Sequence, residues 1–212
     1  MLGGRGAVGS GGGGALGGGL ARTFRRGGAT VILVGRTQAT LDAVAQDIRS
    51  AGGSAEVAVF DALDERAVDE HVRMVVAKTG SLDISFNLVT RGDIQGIPLV
   101  EMTADDLLRA VDNGLRSSFL TARAAARRMV EQGSGVILHL NSASGAGAQP
   151  GMGSTGPADA ATETFMRYLA AEVGPRGVRA RGPGRPSRAR PTPRRKAPPA
   201  SDPPPPAPWP PH

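Results

Sequence analysis

Apolar residues along this chain fall into short unbroken runs that alternate with stretches of helical spacing. The run TVILV at 30–34 is apolar almost throughout, the mark of a strand covered on both faces of a parallel sheet. Residues 37–51 follow with Leu41, Val44, Ala45 and Ile48 on one face and close on Gly52 and Gly53, so they read as a helix. The alternation then repeats. A strand is expected at 56–60, then a helix capped by Asp64 with Val68, Val72, Val75 and Val76 inward, and a fourth strand at 84–89. Thr103 opens a long helix with Leu107, Val111, Leu115, Leu120 and Met129 on its apolar face, and a fifth strand is expected at 136–140. Pro157 suits the first position of a last helix that turns Phe165, Met166, Leu169, Ala170 and Val173 inward. Residues 1–7 are the place for a first strand, although glycine interrupts its apolar run. Five strands alternating with helices predict an α/β fold with a doubly wound parallel sheet, which binds ligands at the carboxyl ends of its strands.

The stretch 8–36, VGSGGGGALGGGLARTFRRGGATVILVGR, sharpens this picture. A glycine-rich loop runs into a helix at 16–26 and then into the 30–34 strand, which is the first half of a dinucleotide-binding, Rossmann-like βαβ unit. Glycines there let backbone N–H groups approach a pyrophosphate at a helix N-terminus.

Composition changes the picture at the end of the chain. Nine of the 25 Lys/Arg and only one of the 19 Asp/Glu lie beyond residue 174, as do 14 of the 17 prolines. The net charge of +6 therefore belongs to the tail, and the part before it is mildly acidic. A domain at 1–182 followed by a disordered Pro/Arg-rich tail at 183–212 is expected, since proline can neither donate in a ladder nor continue a helix. Nucleic-acid binding by that tail is not expected, because its basic residues have no interleaved aromatics. The chain has no cysteine, which excludes disulfides, thiolate metal sites and cysteine nucleophiles. It has no apolar run of membrane-spanning length and no signal-like segment, so a cytoplasmic protein without a membrane partner or a bound metal is expected.

With these blocks in order, residues 9–178 resemble the short-chain dehydrogenase/reductase family. LARTFRRGGATVILVGRT looks like its first helix and second strand, FDALDE like the segment after its third strand, and DISFNLVT like its NNAG region. SSFLTARAAARRM looks like its long interface helix, and GSGVILHLNSASG like the fifth strand with the catalytic serine. The resemblance implies hydride transfer between a nicotinamide cofactor and a carbonyl or alcohol of a small-molecule substrate, in a homodimer or homotetramer. It implies cofactor contacts at Gly11, Gly13, Gly14, Leu16, Gly17, Arg36, Asp61 and Asn87. Where an NAD enzyme carries an acidic residue after the second strand, this chain has Gly35 followed by Arg36, so NADP(H) is expected over NAD(H).

The catalytic positions depart from the family. Ser142 falls on the serine position, but the tyrosine position is Thr155 and the lysine position is Asp159. The helical asparagine is replaced by Gly114, with Asn113 one residue away, and the middle glycine of the phosphate turn is Ala15. A threonine hydroxyl is far less acidic than a phenol, and Asp159 brings negative charge where the family's mechanism needs positive. The only tyrosine, Tyr168, is expected to pack or to lie at an interface, and strand alternation sends His139 and Ser142 to different faces. The sixth strand, GVRARGPG, reads poorly, so the sheet is expected to be incomplete at its C-terminal strands, with the edge of the fifth strand open. An oxidoreductase of impaired activity, with Ser142, Thr155 and Asp159 in the catalytic positions, is the expectation. Its alternatives are a non-catalytic protein that binds cofactor or a partner, and a frame-shifted product without function.

Overall fold

A computed structural model of the chain describes residues 5–182. Six strands form one parallel sheet in the order β3-β2-β1-β4-β5-β6. They are β1 (Gly6–Ser10), β2 (Thr30–Gly35), β3 (Ser54–Val59), β4 (Ile84–Asn87), β5 (Gly135–His139) and β6 (Val178–Arg181). The helices are α1 (Ala15–Arg26), α2 (Gln38–Ser50), α3 (Glu65–Thr79), α4 (Ala104–Gln132) and α5 (Thr155–Val173). The strand order reverses between β1 and β4, so the loops after these two strands open a crevice at the carboxyl edge. Among the described residues, no helix is long and apolar enough to cross a membrane.

The strands and helices follow from local chemistry. β2 is buried along its middle, as its unbroken apolar run requires. Leu41, Ala45 and Ile48 of α2 close over Val31 and Leu33 on one side of the sheet. On the other side, Val8, Ile32 and Val34 meet Val75 of α3, Met129 of α4 and Met166 and Val173 of α5. The Asp64 carboxylate caps α3 by accepting from the Ala67 N–H at 3.0 Å. The Thr103 hydroxyl does the same for α4, accepting from the Asp106 N–H at 3.1 Å.

Four expectations are corrected. The first strand, Gly6–Ser10, runs on past residue 7, because the pairing Ala7 to Val31 and Ala7 to Ile84 buries VGS at the sheet centre. The sheet does not stop at its fifth strand: Val178–Arg181 pairs with Gly135–Leu138 and covers that edge. Its alternation puts Val178 and Ala180 in the core and Arg179 and Arg181 in solvent, a period of two disguised by the arginines. The buried face of α4 holds the expected Leu120 and Met129 but is otherwise made of small residues, among them Ala110, Gly114, Ser117, Ser118, Ala122 and Ala125, whereas Leu107, Val111 and Leu115 are only half-buried. Close approach of α4 to its neighbours, rather than bulk, fills that layer. Finally, α5 begins at Thr155, with Pro157 inside the first turn, where a missing N–H costs nothing. The expected Pro/Arg-rich tail at 183–212 lies outside the described residues.

Candidate active site

The glycine turn between β1 and α1 builds one end of a cleft of about 790 Å³. Gly11 has a φ of 81°, a left-handed conformation that favours glycine, and a Cβ there would strike the Leu88 carbonyl. A Cβ on Gly17 would come within 2.6 Å of the Gly11 carbonyl oxygen, so the first turn of α1 can sit against the loop only with glycine there. The N-cap of α1 is Gly14, no side chain among the described residues caps the helix, and its first turn holds no acidic residue. Its free N–H groups and the positive end of its dipole are left for an anion. Gly13, Gly14, Ala15, Leu16 and Gly17 all line the cleft.

Away from this turn the cleft is bounded by Arg36, Thr37, Asp61 and Ala62, at the carboxyl ends of β2 and β3. The Arg36 side chain is 73% exposed and lies 3.8 Å from Asp61, a loose surface pair that a ligand can open. Gly35 brings no carboxylate to this end. Asn87, the last residue of β4, is buried. Its amide nitrogen donates to Thr121 Oγ1 at 3.2 Å and its oxygen accepts from the Val89 N–H at 2.8 Å, which fixes the loop that floors the cleft.

The opposite end of the cleft is lined by Arg91, Asp93, His139, Asn141 and Ser142. Asp159, on the first turns of α5, is buried behind it, with 1% of its surface exposed. Its carboxylate accepts from the Arg91 guanidinium at 2.5 Å, from the Ser142 N–H at 3.2 Å and from the Ser142 hydroxyl. Asp93 binds the same guanidinium through both oxygens, at 2.9 and 3.3 Å. The Arg91 side chain passes over Gly114, where a Cβ would come within 2.5 Å of its Cδ. Asn113 holds the loop by donating to the Arg91 carbonyl at 3.1 Å. The His139 ring is held by Ser118 Oγ at 3.1 Å and Asn141 Oδ1 at 2.8 Å. Burial lowers its pKa from the ordinary imidazole value, and Arg91 adds to this, while the Asn141 contact and Asp159 oppose it. Thr155 is buried, and its hydroxyl accepts from Gln95 Nε2 at 3.2 Å.

Residues 12–181 match the family model described as enoyl-(acyl carrier protein) reductase. The chain belongs to the short-chain dehydrogenase/reductase family. It is 29% identical over 163 residues to gluconate 5-dehydrogenase of Gluconobacter oxydans, covering 77% of this chain and 63% of that enzyme. The chain thus spans less than two thirds of the length of such curated relatives. Among solved structures, a metagenomic short-chain oxidoreductase in complex with NADP superposes with a TM-score of 0.79 at 27% identity, covering 87% of this chain and 84% of that one. NAD+-bound xylitol dehydrogenase superposes with a TM-score of 0.80 at 24% identity, covering 86% and 70%, which speaks for the fold alone.

As a short-chain dehydrogenase/reductase, the chain gathers Gly11, Gly13, Gly14, Leu16, Gly17, Arg36, Asp61, Asn87 and Ser142 around one cleft. Thr155 and Asp159 are not among the residues lining it. Tyr168 is not packed: it is 69% exposed on α5. Sequence reasoning missed Arg91, Asp93 and Asn141. Arg91 and Asp93 are ordinary charged residues of a loop, and their meaning depends on a partner, Asp159, 68 positions away from Arg91. The one available signal was the glycine at the helical asparagine position, which marks missing volume but not what fills it.

Proposed function

We propose that this chain is a short-chain dehydrogenase/reductase that takes NADP(H) in the cleft and passes hydride between it and the carbonyl of a small-molecule substrate at the Ser142 end, with impaired turnover. The observation that carries the reading is the glycine turn at Gly11–Gly17, whose uncapped helix N-terminus opens on a cleft running to Arg36 on one side and Ser142 on the other. The residues fit a dinucleotide: a pyrophosphate belongs at the first turn of α1, the adenine half beside Asp61 and Ala62, and the nicotinamide half toward Asn87 and Ser142. A bound nicotinamide supplies or accepts the hydride. Arg36 and the uncapped N-terminus of α2 suit a 2′-phosphate, and Gly35 offers no carboxylate to a free 2′-hydroxyl.

Carbonyl reduction also needs a proton at the substrate oxygen. The Ser142 hydroxyl donates to Asp159 and accepts from the Ser144 N–H at 3.2 Å, and Thr155 is buried against Gln95. No phenol takes the donor's place, which supports low turnover. These same contacts favour a second reading, a member that binds cofactor without turning it over. Association is part of the proposal: α4 and α5 expose Phe119, paired edge-on with Phe165 at 5.9 Å, and Tyr168, a surface suited to a homodimer or homotetramer.

The test is titration with NADPH and NADH followed by cofactor fluorescence, then a panel of carbonyl compounds followed by NADPH consumption. NADPH should bind more tightly than NADH. Arg36→Ala should weaken NADPH roughly tenfold and leave NADH unchanged, as expected for loss of a charge-assisted phosphate contact. Equal loss for both cofactors would refute the NADP preference. Binding without consumption of NADPH over the whole panel would favour the second reading.

A further inference from the structure

Arg91 is assigned no role by the glycine turn, by the Ser142 position or by any motif, yet it is the most heavily braced side chain of the cleft. Its guanidinium has five N–H donors. Among the described residues three are engaged: one to Asp159 and two to Asp93. The remaining two belong to a side chain that is 14% exposed and lines the cleft together with Asn87, Asn141 and Ser142. Two carboxylates, the space over Gly114 and the Asn113 bond to its carbonyl fix the fork in place. A donor held this way needs little ordering when a ligand arrives.

The charge count narrows what it can hold. Arg91, Asp93 and Asp159 together carry one surplus negative charge, so this end repels phosphate or carboxylate. An uncharged oxygen, hydroxyl or carbonyl, can accept from the two spare N–H groups without that penalty. We propose that Arg91 is an oxygen-binding residue of this cleft, donating to a neutral hydroxyl or carbonyl oxygen of whatever lies at the Ser142 end. This rests on the cofactor reading above. The oxygen has two sources, a ribose hydroxyl on the nicotinamide half of NADPH or the carbonyl of a substrate.

The experiment compares Asp159→Asn with the double variant Asp159→Asn, Arg91→Gln. Removing Arg91 alone would strand a buried carboxylate and could unfold the chain, whereas both members of this comparison lack that charge. Dissociation constants are measured by calorimetry for NADPH and for adenosine 2′,5′-bisphosphate, which lacks the nicotinamide half. Binding of benzaldehyde to the NADPH complex is followed by the fluorescence of the bound cofactor. Loss of Arg91 is expected to weaken NADPH roughly tenfold and to leave the bisphosphate unchanged, which identifies a cofactor oxygen. Unchanged NADPH with roughly tenfold weaker benzaldehyde supports the same role toward a substrate carbonyl. Equal weakening of NADPH and the bisphosphate, or no change in any ligand, overturns the proposal. If the unmodified chain binds neither nucleotide, the cofactor reading itself fails, and this role falls with it.

Discussion

Asp159 is a buried carboxylate whose contacts are accounted for by Arg91 and Ser142. Read from the sequence alone, it places negative charge where the family's mechanism calls for a cation. In the folded chain that charge is paired with Arg91, which Asp93 also binds and whose side chain crosses the space left open at Gly114. Three positions distant in sequence therefore act as one unit. Installing a Tyr–Lys pair through Thr155→Tyr with Asp159→Lys breaks this unit, because the new ammonium would face the Arg91 guanidinium away from water. The double substitution should lower unfolding free energy by roughly 3 kcal/mol or more, read as a shift in urea midpoint, and should not raise NADPH consumption. Replacing Arg91 as well should recover part of that stability. A double variant as stable as the parent would show that Arg91 does not depend on Asp159.

At the scale of elements, helix ends divide into those closed by the chain itself and those left open. Asp64 and Thr103 cap α3 and α4 with their own side chains, and Gly80 and Gly133 end them in left-handed turns. By contrast α1 starts at an uncapped glycine facing the cleft. Gly14 has extended backbone, and a Cβ there meets nothing closer than the Gly11 oxygen at 3.8 Å, so Gly14→Asp can be accommodated. Its carboxylate should stabilise α1 by a few tenths of a kcal/mol to about 1 kcal/mol. The same carboxylate would occupy the proposed pyrophosphate site and should weaken NADPH by roughly tenfold or more. A thermal melt and a titration on one variant should thus move in opposite directions. A variant that gains stability and keeps full NADPH affinity would place the pyrophosphate elsewhere.

For the whole molecule, the parallel sheet buries polar groups as well as apolar ones. His71 of α3 is 6% exposed, its ring lies tilted at 48° against Phe60 at 5.0 Å, and its Nε2 has no hydrogen-bond partner among the described residues. Burial lowers its pKa from 6.5 to about 4, partly opposed by Glu56. The unfolded chain takes up a proton near pH 6.5 and the folded chain only near pH 4. Stability from the neutral imidazole is therefore full above pH 6.5 and falls steadily between 6.5 and 4. The whole loss amounts to roughly 3 kcal/mol. Urea unfolding across this range should show that slope, and His71→Leu should flatten it. A slope unchanged by the substitution would assign the acid sensitivity to other groups.

The order of the first five strands and their helices, the family and the glycine turn were legible because each depends on neighbours in sequence. Apolar runs such as 30–34 and capping residues such as Asp64 act over a few positions. Two things were not legible. β6 was hidden because Arg179 and Arg181 swamp the apolar count, and only pairing with β5 shows that they alternate with Val178 and Ala180. The bonding of Asp159 was hidden because its partner sits on a loop 68 residues earlier, and a charge has no meaning until the fold sets what faces it. By itself the sequence determined a parallel α/β sheet and its glycine turn, through local periodicity and backbone freedom. Only the tertiary structure decided the electrostatics of the Ser142 end, because Coulomb and hydrogen-bond energies depend on distance in space and not along the chain.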